Sequence, residues 1–176
     1  VVSSVFVECL QFYRAEGPPE LRPVGETEFV DSIAGLYPAP GGKAAAPTGQ
    51  VNVPAGQVNV AAGIVGFADL ALGAAVEPVL EAHMAASARF RGVRYASAWD
   101  ASEQVHNAHT RPVWNLLQTA SFRRGLACVE GKGLSFDAWL FHPQIPQLTE
   151  LAQAFPDLPI VLNHMAGPLG IGPYTS

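Results

Sequence analysis

The stretch Leu134-Ser135-Phe136-Asp137-Ala138-Trp139-Leu140-Phe141-His142-Pro143 decides the fold class when it is read with the residues that follow it. It is a short, nearly continuous apolar run, which is typical of a strand covered on both faces. A helical pattern follows, with Leu148, Leu151 and Phe155 on one face, and a second apolar run then covers 158–164. A strand, a helix and a strand in this order predict two parallel strands joined by a helical crossover.

The same alternation extends toward the N-terminus. Further apolar runs cover 1–9, 63–70 and 90–96, and helical patterns cover 26–36, 76–84 and 113–120. We therefore predict an α/β fold, a partial (β/α)8 TIM barrel with about five parallel strands, and an open doubly wound parallel sheet is the alternative. Because a full barrel takes about 250 residues, residues 1–176 are expected to form a single incomplete barrel domain.

A Pro- and Gly-rich insert at 37–62 interrupts this alternation. It contains a direct repeat, GQVNV at 49–53 and again at 56–60. Two copies are too few for a solenoid, so the repeat indicates either a duplication in a surface loop or a small added hairpin. Because the insert joins a helix to the next strand, we expect it at the amino ends of the strands, away from the reacting face.

The composition excludes several classes of protein. A formal net charge of -5 argues against nucleic acid or an anionic membrane surface as a partner. No apolar run reaches the 18 or so residues that a membrane-spanning helix needs. Two cysteines, Cys9 and Cys128, make no disulfide framework and are interpreted as buried apolar thiols, which favours a reduced, cytoplasmic location. The chain lacks an initiator Met and a signal peptide, so we expect it to start inside a larger protein.

Ligands of parallel α/β folds bind beyond the carboxyl ends of the strands, and this rule selects candidate site residues. His142 and His164 each follow an apolar run directly, and imidazole serves either as a metal ligand or as a base near neutral pH. Arg94 interrupts an apolar strand, where it would hold a substrate carboxylate or pair with an acid such as Glu8 or Asp69. The candidate substrate-binding residues are Arg94, Tyr95, Glu8 and Tyr13.

The motifs that are missing narrow the chemistry further. GxGxxG and P-loop spacings do not occur, so a phosphate-binding loop is not indicated. A GxSxG motif is also absent, which argues against a serine hydrolase of the usual α/β type. Histidines and carboxylates at strand ends favour hydrolysis by an activated water. His83, near the apolar stripe of its helix, is predicted to be structural.

Four segments occur in an order and spacing that match a known family: RPVGETEFV at 22–30, AGIVGFADL at 62–70, FRGVR at 90–94 and PIVLNHM at 159–165. They resemble the amidohydrolase-related (amidohydrolase 2) family of predicted metal-dependent TIM-barrel hydrolases. This family includes the pyrone dicarboxylate lactonase and related lactonases and decarboxylases. The resemblance covers nearly the whole chain outside the insert.

The resemblance implies a barrel whose site gathers an HxH pair from the first strand, histidines from the fifth and sixth strands and an Asp from the eighth. Residues 1–9 would be the second strand, so that His142 and His164 would end the fifth and sixth. Arg94 would then hold a substrate carboxylate, and His164 would orient or deprotonate the attacking water. His142 would bind a divalent metal, zinc or manganese, although some lactonases of this branch work without metal.

Two features depart from the family pattern, because the chain contains no HxH and no strand after Tyr174. We therefore expect an incomplete barrel that is inactive on its own. Its parent is expected to be a hydrolase that uses activated water on a lactone or a similar carboxylate-bearing small molecule. The alternatives are a decarboxylase or hydratase on the same barrel, or a non-catalytic α/β binding module. The spacing of the two imidazoles would distinguish the enzyme from the module.

Overall fold

The computed structural model describes residues 3–37 and 59–175. Within these ranges, strands and α-helices alternate in the order β1 (Ser3–Val7), α1 (Val24–Leu36), β2 (Asn59–Phe67), α2 (Glu77–Ala86), β3 (Phe90–Ala96), α3 (Ala120–Gly131), β4 (Ser135–Trp139), α4 (Ile145–Ala154) and β5 (Ile160–Leu162). Short 3-10 helices occupy Pro19–Leu21, Leu70–Val76, Leu116–Gln118, His142–Gln144, Asn163–Ala166 and Gly172–Tyr174. None of the helices in the described ranges has the length and apolar character needed to cross a bilayer.

Contacts divide the chain into two compact units. The first unit comprises Val1–Phe67 and Val79–Arg91, and the second comprises Ala68–Pro78 and Gly92–Ser176. In the first unit β1 pairs with β2 in parallel. In the second unit β4 pairs in parallel with β3 and with β5. That the whole chain forms one domain stays a prediction.

The strand order supports the barrel interpretation. Within each unit the strands follow one another in sheet order as they do along the chain. A doubly wound sheet reverses its strand order at a switch point, whereas a (β/α)8 barrel keeps it. The predicted fold class, α/β with part of a (β/α)8 barrel and about five parallel strands, is confirmed.

The predicted helix over 113–120 is wrong in its position. Residues Leu116–Gln118 form a 3-10 turn, and the helix itself begins at Ala120. The cause is Thr119, whose hydroxyl oxygen accepts a hydrogen bond from the backbone N–H of Phe122 and caps the helix. Val113, which the prediction placed on the buried face, is 58% exposed.

Helix α1 starts at Val24, two residues before its predicted start. Val30 is buried as predicted, but Phe29 and Ile33 are each 37% exposed. These two side chains line a cavity of about 260 Å³ in the first unit. The other residues that line it are Ser4, Val5, Phe6, Val30, Val60 and Ala61.

The predicted insert falls mostly outside the described residues. Both copies of the repeat overlap 38–58, and only Asn59 and Val60 of the second copy are described. These two residues open β2, so the strand starts four residues before the predicted apolar run at Gly63. Whether the first copy is a duplicated loop or a hairpin stays a prediction.

Aromatic side chains of helix α3 and the strands form the core of the second unit. The buried Phe122 ring on α3 meets Tyr95 of β3 and Phe136 of β4 edge to face, with centroids 5.2 and 6.0 Å away. Such edge contacts add stabilisation beyond the buried area. Helix α3 also packs on the segment Leu70–Val76. This packing places helix α3 on one face of the strands of the second unit.

Candidate active site

Arg94 and Asp137 lie opposite each other on β3 and β4. Opposite residues of parallel strands point to the same side of a sheet, so the guanidinium and the carboxyl share one face. Asp137 is only 5% exposed, and burial raises the pKa of its carboxyl. The hydrogen bond from Asn163 and the positive charge of Arg94 act in the opposite direction. A buried acid therefore stands beside the predicted carboxylate-binding residue.

Asn163 links Asp137 to the end of β5. Its side-chain Nδ2 donates to Asp137 Oδ2 at 3.0 Å, and Asn163 directly precedes His164. Sequence interpretation did not select Asp137 for the site. The available signal was a lone carboxylate within the apolar run 134–141, because a buried acid requires a polar partner.

His164 lies on a strained turn after β5. Four successive residues, His164, Met165, Ala166 and Gly167, have left-handed φ angles of 50°, 52°, 59° and 42°. This conformation costs a non-glycine residue roughly 1–2 kcal/mol, so the surroundings must hold it. Ala166 is fully buried, and the exposed His164 ring meets Trp139 edge to face at 6.2 Å. The turn presents an accessible imidazole at the carboxyl end of the sheet.

His142 begins the 3-10 helix that follows β4 and is half-buried. Its Nδ1 accepts a hydrogen bond from the backbone N–H of Leu169 at 3.2 Å. The ring of Tyr174 meets the imidazole edge to face at 5.1 Å. The Tyr174 hydroxyl in turn donates to Asp100 Oδ2 at 2.7 Å, which raises the pKa of the phenol. The predicted histidine is thus held by the segment that follows β5.

The structure brings the segments of the two predicted histidines together. His142 follows β4, His164 follows its parallel neighbour β5, and their 3-10 helices contact each other. Trp139, at the end of β4, contacts the rings of both Phe141 and His164. A short distance between the two imidazoles, which the enzyme interpretation requires, stays a prediction. The catalytic roles of both histidines stay predictions.

Gln144 joins the ends of β3 and β4 and was not selected from the sequence. Its Oε1 accepts hydrogen bonds from the N–H groups of Trp99 at 3.0 Å and Phe141 at 3.1 Å. Its Nε2 donates to the carbonyl oxygen of Ser97 at 2.9 Å. These bonds explain why an amide is buried here, since a buried polar group needs hydrogen-bond partners. The signal in the sequence was weak, because an isolated Gln after a Pro resembles a surface residue.

Tyr95 lies on the helix side of β3, against Phe122. Successive strand residues point to opposite faces, so Tyr95 does not share the face of Arg94. Its hydroxyl donates to Asp69 Oδ1 at 3.3 Å, and burial together with this carboxylate raises the pKa of the phenol. Asp69 also caps the following 3-10 helix by accepting from Ala71 N–H. The substrate-binding role of Tyr95 stays a prediction.

Glu8 and Tyr13 lie in the first unit, after β1. Glu8 is buried, and its backbone N–H donates to the carbonyl oxygen of Val65 at 2.8 Å. The pKa of Tyr13 is raised by burial and then by the negative charges of Glu8 and Glu26. The structure therefore brings these three side chains into one neighbourhood. Their binding of substrate stays a prediction.

Glu26 holds the loop between β1 and α1 in place. It is 2% exposed, and its Oε1 accepts from the backbone N–H groups of Gln11 at 2.8 Å and Cys9 at 3.1 Å. Sequence interpretation missed this role, because a Glu in the first turn of a helix resembles an ordinary exposed residue. The prediction that Cys9 is buried is wrong, since β1 ends at Val7 and the loop leaves Cys9 exposed. Cys128 is half-buried, and burial raises the pKa of its thiol.

The resemblance implies a divalent metal, which would need several ligating side chains close together. Zinc and manganese are held by grouped His, Cys, Asp and Glu side chains. In 3–37 and 59–175, three or more such groups do not come together in an arrangement that could hold a metal ion. The side chains within these two ranges therefore do not by themselves form a metal centre.

The comparisons with known proteins agree with these observations. The sequence profile of a family described as amidohydrolase matches residues 51–173. An uncharacterized protein, y4mH of Sinorhizobium fredii, is 30% identical over 149 residues. That match covers 81% of this chain and 39% of the relative, so the chain spans about two fifths of the relative's length. No solved structure is matched by the chain.

The extent of the profile match identifies the family. It covers well over half of the 176 residues and includes β3, β4 and β5 with the polar residues that follow them. Amidohydrolases form a superfamily of hydrolases, and its members are often metal-dependent. Both the parallel α/β architecture and the matched segment thus lead to one conclusion: the chain belongs to the amidohydrolase family.

Proposed function

We propose that the protein hydrolyses a lactone, or a similar ester-like carbonyl compound, that carries a carboxylate. The observation that carries the proposal is the shared face of Arg94 and Asp137, next to the strand end that bears His164. A cation, a buried acid and an accessible imidazole are the groups that binding a carboxylate and activating water require. The family supports hydrolysis as the type of reaction.

Arg94 binds the substrate carboxylate in this proposal. A guanidinium presents two parallel N–H donors that match the two oxygens of a carboxylate. Asp137 lies opposite Arg94, and the positive charge of the guanidinium opposes the rise that burial causes in the pKa of that carboxyl. Asp137 thereby helps to orient the guanidinium.

His164 moves the proton, and His142 donates a hydrogen bond. The oxygen of a water molecule forms a bond to the carbonyl carbon, and His164 accepts the proton that the water loses. The carbon–oxygen bond of the ring then breaks, and the leaving oxygen takes up this same proton from the His164 imidazolium, while His142 donates a hydrogen bond to that oxygen. The products are a hydroxy acid and the protein with His164 neutral again. The exposure of His164 supports its contact with water.

A decarboxylase is the second candidate, and the burial of Asp137 favours it. Burial raises the pKa of this carboxyl, which favours its use as a proton donor to the carbon that loses CO2. In that reaction the carbon–carbon bond breaks, its electron pair stays on the substrate carbon, and this carbon takes the proton. Release of CO2, against release of a hydroxy acid without CO2, distinguishes the two functions.

The Arg94→Ala substitution tests the proposed substrate class. In the natural protein that contains these residues, we expect KM to rise about 100-fold for lactones that carry a carboxylate, because a charged hydrogen-bonded pair contributes about 1.5–3 kcal/mol. For matched neutral lactones, KM should change less than about threefold. Steady-state kinetics with both substrate sets measures the difference.

Arg91→Ala is the matched control for this test. Arg91 lies on the same strand but donates to the backbone carbonyl oxygens of Ala88 and Phe90. Its removal should leave the preference for carboxylate substrates intact. Equal losses on charged and neutral lactones in Arg94→Ala would argue against the binding role. A wild-type protein that opens no lactone would reject the hydrolase proposal itself.

A further inference from the structure

The segment from Gly167 to Thr175 holds His142 from outside its own strand. The backbone N–H of Leu169 points at Nδ1 of the imidazole. Tyr174 packs its ring against the imidazole and is itself anchored by the hydrogen bond to Asp100. These residues are not part of the proposed reaction. Their contacts nevertheless restrict what His142 can do.

The direction of the bond from Leu169 decides which nitrogen of His142 carries the proton. A backbone N–H can only donate, so Nδ1 must supply the lone pair. A neutral imidazole has one nitrogen with a lone pair and one with a hydrogen. When His142 is neutral, its hydrogen is therefore on Nε2. The contact selects a single tautomer.

That tautomer has a chemical consequence. Nε2 carries a hydrogen, so it can donate a hydrogen bond but has no lone pair to offer a divalent cation or a water proton. Nδ1 has a lone pair, but the N–H of Leu169 occupies it. The neutral ring of His142 is thus arranged as a donor. His164 has no comparable contact from a backbone N–H among the hydrogen bonds of the described residues.

We propose that Leu169, through its backbone N–H, and Tyr174, through its bond to Asp100, are positioning residues that hold His142 as an Nε2–H donor rather than a metal ligand. The identity of the acceptor, an oxygen of the substrate carbonyl or leaving group, rests on the proposed function. The tautomer does not, because it follows from contacts within the chain alone. The predicted metal role of His142 is inconsistent with this geometry.

Nuclear magnetic resonance of the 15N-labelled imidazoles tests the tautomer without any substrate. The chain contains five histidines, and a His142→Gln variant identifies the signals of residue 142. For the neutral ring of His142, we expect Nε2 to be protonated and Nδ1 unprotonated. His83 is an internal reference, because its Nε2 contacts the carbonyl oxygen of Phe67 at 3.0 Å and must also carry hydrogen. A proton on Nδ1 of His142 in the wild-type protein would overturn the proposal.

Two substitutions at one position separate the N–H from the side chain. Leu169→Pro removes the donor, and we expect the Nδ1–H tautomer of His142 to rise from undetectable to at least about a tenth of the population. Leu169→Ala keeps the N–H and should leave the tautomer as in the wild type. An unchanged tautomer in Leu169→Pro, with the His83 signals intact, would refute the positioning role of Leu169.

A milder variant covers the case in which Leu169→Pro fails to fold. Tyr174→Phe keeps the ring and removes only the hydroxyl that donates to Asp100. We expect a smaller rise of the Nδ1–H tautomer and broader His142 signals, and signals identical to the wild type would exclude the role of Tyr174. Addition of Zn2+ alone should not shift the wild-type His142 signals, and a stoichiometric shift would overturn the donor assignment. The expected spectra from a protein that opens no lactone would reject the hydrolase proposal and leave this inference standing.

Discussion

Replacing Gly125 by Ala is expected to destabilise the protein by about 3 kcal/mol, near the upper end of the typical cost of overpacking. A Cβ atom at this position would overlap the carbonyl oxygen of Leu70 and lie 3.0 Å from the Cα of the same residue. Both are backbone atoms, so they cannot rotate away, and helix α3 would have to move off the segment Leu70–Val76. The direction is notable because Ala normally stabilises a helix by about 1 kcal/mol relative to Gly.

The same helix provides the control. Gly131 ends α3, and a Cβ atom there meets nothing within 4 Å. Gly131→Ala should therefore leave stability unchanged or raise it by up to about 1 kcal/mol. Urea unfolding followed by tryptophan fluorescence measures both variants. The signal reports on the correct part of the chain, because Trp99, Trp114 and Trp139 all lie in the second unit.

Opposite signs for the two substitutions are the diagnostic result. If Gly125→Ala unfolds at the same urea concentration as the wild type, the close approach of α3 to Leu70 does not exist. The displacement would also disturb Asp69, which precedes Leu70 and accepts the hydrogen bond of Tyr95. We therefore expect Gly125→Ala to broaden the resonances of Tyr95 even at temperatures where the variant remains folded.

Lowering the pH from 7 to 4 is expected to decrease the free energy of unfolding by about 3 kcal/mol through one buried side chain, His83. Its ring is fully buried and stacked on Phe90 at 4.8 Å. Its Nδ1 lies 2.8 Å from the hydroxyl of Thr27, and its Nε2 contacts the carbonyl oxygen of Phe67. Burial lowers the pKa of His83 from 6.5 to about 4, while the Phe67 carbonyl opposes this change. The folded protein thus keeps the ring neutral where the unfolded chain binds a proton.

The sign of the pH dependence follows from this difference. Above pH 6.5 neither state binds the proton at His83, and the full stability is present. As the pH falls, the unfolded chain is protonated first, so stability is lost progressively down to pH 4. At about 1.4 kcal/mol for each tenfold difference in proton affinity, the loss is about 2 kcal/mol at pH 5 and about 3 kcal/mol at pH 4.

His83→Gln tests this assignment, and His106→Gln is its control. The free energy of unfolding is measured in urea at pH 7, 5 and 4. Between pH 7 and pH 4, His83→Gln should lose about 3 kcal/mol less than the wild type, whatever its stability at pH 7. His106 is exposed in a loop, so its variant should follow the wild-type curve. An unchanged acid slope in His83→Gln would show that the ring is already accessible to protons in the folded state.

Local sequence patterns predicted some strands and helices correctly and misplaced others. The run 90–96 became β3 without a change of bounds. Leu148 and Leu151 are buried on α4 as predicted. The stripe over 113–120 was misplaced, because Thr119 offers a cap that periodicity does not detect. Hydrophobic spacing therefore indicated the presence of a helix but not its start.

The candidate site likewise contains residues that the sequence predicted and partners that it did not. Arg94, His142 and His164 were selected because they interrupt or directly follow apolar runs. Arg94 lies near the carboxyl end of β3, His142 follows β4 and His164 follows β5. Their partners were not selected. Asp137, Gln144 and Leu169 act through contacts with residues up to 47 positions away, which no local pattern encodes.

The sequence by itself determined the class of the fold and the strand ends that carry chemistry, because both depend on which short segments are apolar and which polar residues follow them. Only the tertiary structure decided which groups face one another. It set Arg94 opposite Asp137 and put Tyr95 on the other face, since register and strand alternation are properties of the assembled sheet. It also directed the N–H of Leu169 at His142. A histidine's tautomer depends on the hydrogen bond that reaches it, and that bond exists only after the chain has folded.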